Sequence, residues 1–306
     1  EDIAHFGKRC VAVTQNAASA TAHFDDGTHF TGDVIIGFDG IKSAVRSHVL
    51  PPDQFGDIAP FWSGTYAYRG MIPTHTLETA LEANGSEKRL AWVPQMYLGK
   101  DRHILTFPVK QSQLVNVVAF ITDRSVPHPR LPDGEEWVQA VSQQEMLHVF
   151  EGWSPACQAI LASIAEPTRW ALHELPELPF YQRERVMVVG DAAHALVPHQ
   201  GAGAGQALED AYVLATLLTD VRCDHRRVSD VLAAFEHVRH ARTCRAQRTS
   251  HDAGDVYEYS GKGIGGDESK LIHDLENRFD WLWNHDPHDD VIAARQYLET
   301  VSRDRL

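Results

Sequence analysis

Positive charge, cysteine, methionine and long apolar runs are all scarce in this 306-residue chain. Lys and Arg number 28 against 42 Asp and Glu, a formal net charge of -14. An acidic surface repels phosphate backbones, which counts against a nucleic-acid partner. The four cysteines, Cys10, Cys157, Cys223 and Cys244, lie far apart with no CxxC pair. That spacing argues against a disulfide framework or a zinc site, and it predicts a reducing, cytoplasmic setting. No apolar run approaches the roughly 20 residues of a spanning helix. The longest, such as Val186–Val189, have the length of a strand, so no membrane partner is expected. The opening Glu1-Asp2 is unlike the basic and then apolar start of a secretory leader, and none is expected.

What is present is an ordinary globular stock, 43% hydrophobic and 23% charged, enough for one large domain or two intertwined ones. Val11–Val13, Ala20–Phe24 and Val34–Gly37 read as strands. Asp25-Asp26-Gly27 makes a hairpin turn. Ile41–Val49 reads as a helix stopped by Pro51-Pro52. Tyr66–Ile72, Leu90–Tyr97, His103–Val109 and Val115–Thr122 alternate or are wholly apolar, which predicts an antiparallel sheet. Residues 135–165 have helical spacing. Arg185–Gly190 reads as a buried strand, and Gly205–Thr219, Val228–Arg248 and Ser269–Trp283 as helices. Gly261–Gly266 matches GxGxxG in letters only, since no strand precedes it. The histidine-bearing acidic run His285-Asp286-Pro287-His288-Asp289-Asp290 reads as a solvated loop, and no metal site is expected. The order is sheet and helix, inserted antiparallel sheet, sheet and helix, then helices.

Two strand-turn-helix motifs carry the chemistry. In the first, Asp33-Val34-Ile35-Ile36-Gly37-Phe38-Asp39-Gly40-Ile41-Lys42-Ser43-Ala44-Val45-Arg46, a strand delivers Asp39-Gly40 to a sharp turn. Gly40 permits close backbone approach, and Ser43 and Arg46 share one helical face. In the second, Arg185–Val189 leads to Gly190-Asp191-Ala192-Ala193-His194 and on to Pro198-His199-Gln200-Gly201-Ala202-Gly203-Ala204-Gly205. A carboxylate at the carboxyl end of a strand sits where open α/β sheets bind ligands. Side-chain-free amides at a helix start form a seat for negative charge.

In order, separation and intervening sheet, these motifs resemble the Asp-Gly and Gly-Asp signatures of the group A flavoprotein monooxygenases. Within that family the salicylate hydroxylases are most similar. Tyr68-Arg69-Gly70, Tyr97–Val109, Asn116–Phe120, Trp170–His173 and Pro198–Gly205 extend the resemblance over nearly the whole chain. The resemblance implies an α/β fold: a Rossmann-like FAD-binding domain of the p-hydroxybenzoate hydroxylase type, an inserted antiparallel-sheet substrate domain, and C-terminal helices. It implies boundaries of 1–58 and 169–225 for the two parts of the FAD-binding domain, 59–168 for the substrate domain and 226–306 for the C-terminal helices. The family's opening GxGxxG segment has no counterpart here, and roughly a hundred residues carrying it are expected before Glu1.

The resemblance further implies FAD as cofactor and NAD(P)H as co-substrate in aromatic catabolism. Gly190 and Asp191 would take the ribityl and pyrophosphate part of FAD. Pro198, Gly201, Ala202, Gly203, Ala204 and Gly205 would face the flavin. Asp39, Gly40 and Arg46 would serve the dinucleotide. His103, Arg124 and His199 would line an aromatic-acid pocket and act in catalysis. The implied reaction converts salicylate to catechol with release of CO2. A 3-hydroxybenzoate or hydroxynicotinate hydroxylase remains open, as does a truncated, non-catalytic flavoprotein fragment. The expected partners are a small aromatic acid and either a separate N-terminal chain or a second copy.

Overall fold

The computed structural model describes residues 3–126, 129–220 and 227–303, so Cys223 lies outside the described residues. The chain divides into two compact units. One comprises 1–61, 173–251 and 276–306, and the other 62–172 and 252–275. The residues after 225, expected as a helical region of their own, are shared between the units. The helix Val228–Tyr257 supplies residues to both.

In the first unit, Cys10–Gln15, Ala20–Phe24 and His29–Gly32 form an antiparallel meander. A second sheet pairs Val186–Val188 in parallel with Ile35–Gly37, in the register Val186↔Ile35, Met187↔Ile36 and Val188↔Gly37. The register sets the ends of the two sequence motifs side by side. Val186 and Val188 pack with Val45, Val49 and Ala192. Met187 and Val189, from the opposite face, pack with Val213, Leu214, Leu217, Leu232 and Phe235. A strand apolar on both faces is thereby covered on both, as parallel pairing requires.

In the second unit the strands run in the order Gln95–Gly99, Arg102–Val109, Leu114–Thr122, Phe61–Pro73, Thr168–Glu174, Val138–Ala140. Tyr68, Ile72, Ile104, Val115, Val117 and Ala119 cover one face with Leu77, Leu81, Met146, Ile160 and Leu161 from helices.

Several elements depart from their sequence patterns for identifiable reasons. Only Arg46–Val49 of the expected helix 41–49 is helical. The Asp39 carboxylate accepts from the Ser43 hydroxyl at 2.6 Å and from the amides of Ala44 and Val45 at 2.8 and 3.1 Å. That local turn competes with the helix. Residues 135–165 hold a short strand and two helices, Gln143–Val149 and Pro155–Ala162, each N-capped by a serine, Ser142 and Ser154. Lys88–Ala91 is a 3₁₀ turn, and its strand begins only at Gln95. The expected helix 269–283 breaks into Glu268–Asn277 and Asp280–Trp283. The run His285–Asp290, read as a solvated loop, instead opens the helix Pro287–Arg303, with Asp289 and Asp290 in its first turn. Pro at a helix start and acidic residues beside the positive helix end are favourable there. Among the described residues no helix is long and apolar enough to cross a membrane.

Candidate functional site

The first unit presents a strip of bare backbone. The helix Gly203–Leu218 runs for 16 residues with no side-chain cap at its start. Gln206 donates its amide to Ala202 at 2.9 Å. The amides of Gly203, Ala204 and Gly205 precede that first helical bond and project from the positive end of the helix dipole. A Cβ placed on Gly40, Gly201 or Gly205 would meet nothing within 4 Å, and one on Gly203 would meet only Asp191 Oδ1 at 4.0 Å. Gly201 and Gly40 hold φ of +62° and +78°. Open space, donors and absent side chains together make a seat for a flat, electron-rich group.

Asp191 stands beside this strip as an exposed carboxylate with no hydrogen bond among the described residues. Gly190 turns the chain toward it with φ +58° and ψ -143°, a conformation that disfavours a Cβ. Below the turn, Asp210 is buried and accepts from the Gly190 amide at 3.0 Å, His194 Nε2 at 2.6 Å and Arg239 Nε at 2.9 Å. Burial alone would raise the Asp210 carboxyl, but the bond and charge of His194 and the charge of Arg239 hold it below its ordinary value. Arg239, fully buried, also binds Glu209 at 2.6 Å and Asp290 at 3.0 Å.

Glu209, His285 and Asp290 bring potential ligand atoms within 4.8 Å of one another. Arg239 and Arg242, the latter 2.8 Å from Glu209 Oε2, already supply the positive charge of that cluster.

The structure gives the Asp-Gly motif a different emphasis from its sequence reading. Asp39 spends its oxygens on its own turn. Arg46 is buried, with its guanidinium donating to the backbone oxygens of Ala192 at 3.0 Å and Ile41 at 2.9 Å. Burial lowers its basicity from the ordinary arginine value. Arg46 therefore ties the two motifs together at the backbone. Gly37 allows this approach, since a Cβ there would lie 2.7 Å from Val45 Cβ. Pro198, His199 and Gln200 form a 3₁₀ turn before Gly201, and His199 is buried in it.

In the second unit, His103 and Arg124 are brought together by a residue that sequence reading missed. Glu258, fully buried, accepts from His103 Nδ1 at 2.8 Å through Oε1 and from Arg124 Nη1 at 2.5 Å through Oε2. Arg124 also bonds Asp255 Oδ1 at 2.7 Å and Asp101 Oδ1 at 3.3 Å. His103 is buried, stacked on Phe120 at 4.2 Å and edge-on to Tyr257 at 5.4 Å. Burial pushes His103 below its ordinary value, against the pull of Glu258. Burial would raise Glu258, yet His103 and Arg124 hold it below the usual carboxylate range. Arg124, expected to line an aromatic-acid pocket, thus has carboxylates of its own unit around it.

Comparison with known proteins bears on both parts. Residues 4–250 match the family described as the FAD binding domain. A salicylate hydroxylase of Pseudomonas putida is 50% identical over 97% of this chain, which spans 69% of that relative. The 6-methylsalicylate 1-monooxygenase atA of Aspergillus terreus is 35% identical over 93% of this chain, which spans 62% of that relative. Among solved structures, a salicylate hydroxylase substrate complex superposes with a TM-score of 0.90 at 44% identity, covering 94% of this chain and 70% of its own. With the side-chain-free seat of the first unit, these likenesses place the chain in the FAD binding domain family, as a FAD-dependent monooxygenase of the aromatic-hydroxylase type.

Proposed function

We propose that this enzyme hydroxylates an ortho-hydroxylated aromatic acid, salicylate foremost, at the carbon bearing the carboxylate. One oxygen atom of O2 enters the ring to give catechol, CO2 leaves, and NAD(P)H reduces the other oxygen to water. The observation that carries the proposal is the uncapped, glycine-rich start of the helix Gly203–Leu218 beside the exposed Asp191. Similarity to salicylate hydroxylases narrows the substrate.

FAD, when bound, supplies the electron transfer between NAD(P)H and oxygen. The chain's residues hold and tune it. Asp191 would take hydroxyls of the ribityl chain as a charged acceptor. The amides of Gly201 to Gly205 face the flavin ring and stabilise negative charge there, as an oxyanion hole would. Gly40 leaves room for the dinucleotide, while Asp39 and Arg46 hold the turns that present it. His103 takes the phenol proton of the aromatic acid, a role that suits a neutral imidazole. Arg124 acts through Glu258, and His199 is kept as a donor to the aromatic acid. The scattered cysteines and acidic surface fit a cytoplasmic enzyme with no nucleic-acid partner.

The test supplies the FAD-loaded protein with NADH, oxygen and carboxyl-labelled salicylate. Labelled CO2 released one-for-one with catechol is expected. Gentisate with the label retained, or NADH oxidation unaffected by any aromatic acid, would overturn the proposal.

A further inference from the structure

We infer that Glu258 is a positioning residue: held by Arg124, its carboxylate fixes His103 as the Nδ1–H tautomer and leaves the proton-accepting lone pair on Nε2. This rests on the reading of His103 as the group that takes the phenol proton.

At His103 Nδ1 the donors and acceptors allow one assignment. Arg124 can only donate. Its Nη2 is anchored by Asp255 Oδ1 at 2.7 Å, and its Nη1 lies 2.5 Å from Glu258 Oε2. A carboxylate paired with a guanidinium is ionised and has only acceptors to offer. Glu258 Oε1, 2.8 Å from His103 Nδ1, must therefore receive a proton from that nitrogen. A neutral imidazole protonated at Nδ1 carries its lone pair at Nε2.

The backbone helps to fix the pair. The Glu258 carbonyl accepts from the Asp101 amide at 3.1 Å, and the Asp101 carbonyl accepts from the Thr122 amide at 3.0 Å. The end of the helix Val228–Tyr257 is thereby pinned to the strands that carry His103 and Phe120. Stacking on Phe120 with 11° between the rings holds the imidazole plane. A carboxylate that orients a histidine in this way also stabilises the imidazolium formed when the ring accepts a proton.

Glu258→Gln provides the test, because it preserves shape and inverts the logic. Arg124 selects the amide oxygen, so the amide NH2 turns toward His103 Nδ1. That nitrogen must then accept, and the ring proton moves to Nε2. Ring-nitrogen NMR of histidine-labelled protein, with the His103 signals identified by their loss in His103→Phe, reads the tautomer directly. Nδ1–H is expected in the unaltered protein and in Glu258→Asp, and Nε2–H in Glu258→Gln. In the FAD-loaded enzyme, Glu258→Gln should lower kcat by about 100-fold or more, in the range for general acid–base catalysis. KM for the aromatic acid should hold steady, and Glu258→Asp should recover much of the kcat. Nε2–H in the unaltered protein would overturn the inference, and needs no variant to be seen. An unchanged tautomer in Glu258→Gln would also overturn it. A kcat that ignores an inverted tautomer would instead refute His103 as the proton acceptor and leave the assignment of Glu258 standing.

Discussion

Asp210 in the first unit and Glu258 in the second are built from the same parts. Each is a buried carboxylate between a histidine and an arginine: His194 and Arg239 for one, His103 and Arg124 for the other. The difference lies in what else is bound. Asp210 takes the Gly190 amide, and its arginine is fully buried among Glu209, Asp290 and the Gln206 side chain. That network locks backbone beneath the proposed flavin seat. Among the described residues Glu258 takes no backbone amide through its carboxylate, and the Arg124 side chain is 24% exposed. The same motif can hold a turn or hold a tautomer, according to whether its third ligand is the main chain.

The largest effect expected from breaking this comparison is on Arg239. Arg239→Met removes the guanidinium shared by buried Asp210 and Asp290 and partly buried Glu209. Removing one partner of a buried pair costs about 3–5 kcal/mol, and thermal or urea unfolding should register it. Arg124→Met should cost less, about 1.5–3 kcal/mol, because Arg124 and its partners Asp101 and Asp255 are part-exposed. Equal losses in the two variants would erase the distinction between the networks.

The smallest effect is with pH. Asp210 and Glu258 are held below their ordinary values, so their stabilisation is present above about pH 4 and is lost as pH falls through their folded values. His103 is also lowered, so the unfolded chain binds its proton first and stability begins to fall below about pH 6.5. His103→Phe should flatten the decline in unfolding free energy between about pH 6.5 and pH 5. A slope unchanged by the substitution would show that His103 titrates alike in both states.

The parts of the site legible in the sequence are those made of small residues at turns. Gly190-Asp191 and Gly201 to Gly205 stand out because few other tasks require bare backbone after a strand. The charged networks do not stand out. The sequence reading ends the long helix at Arg248, but the helix continues to Tyr257. Its buried face carries Arg239, Thr243, Gln247 and Ser250, with Glu258 immediately beyond. A buried face of polar residues has no apolar period to follow, and so Glu258 is missed. The Pro287–Arg303 helix is hidden in the same way, because Asp289 and Asp290 resemble a solvated run until Arg239 is seen to reach Asp290. Arg46 was readable as a charge near the site but not as a backbone clamp, since its carbonyl partner at Ala192 is 146 positions away.

Asp191 is the point at which these readings converge: an exposed carboxylate next to the open amides, with no hydrogen bond among the described residues. The most direct test is to measure FAD affinity and melting temperature together for Asp191→Ala. Loss of a charged hydrogen bond of about 1.5–3 kcal/mol corresponds to a roughly 10- to 150-fold weaker FAD complex, and the melting temperature of the FAD-free protein should not move. Full FAD retention in Asp191→Ala, or a fall in stability without loss of affinity, would contradict the account.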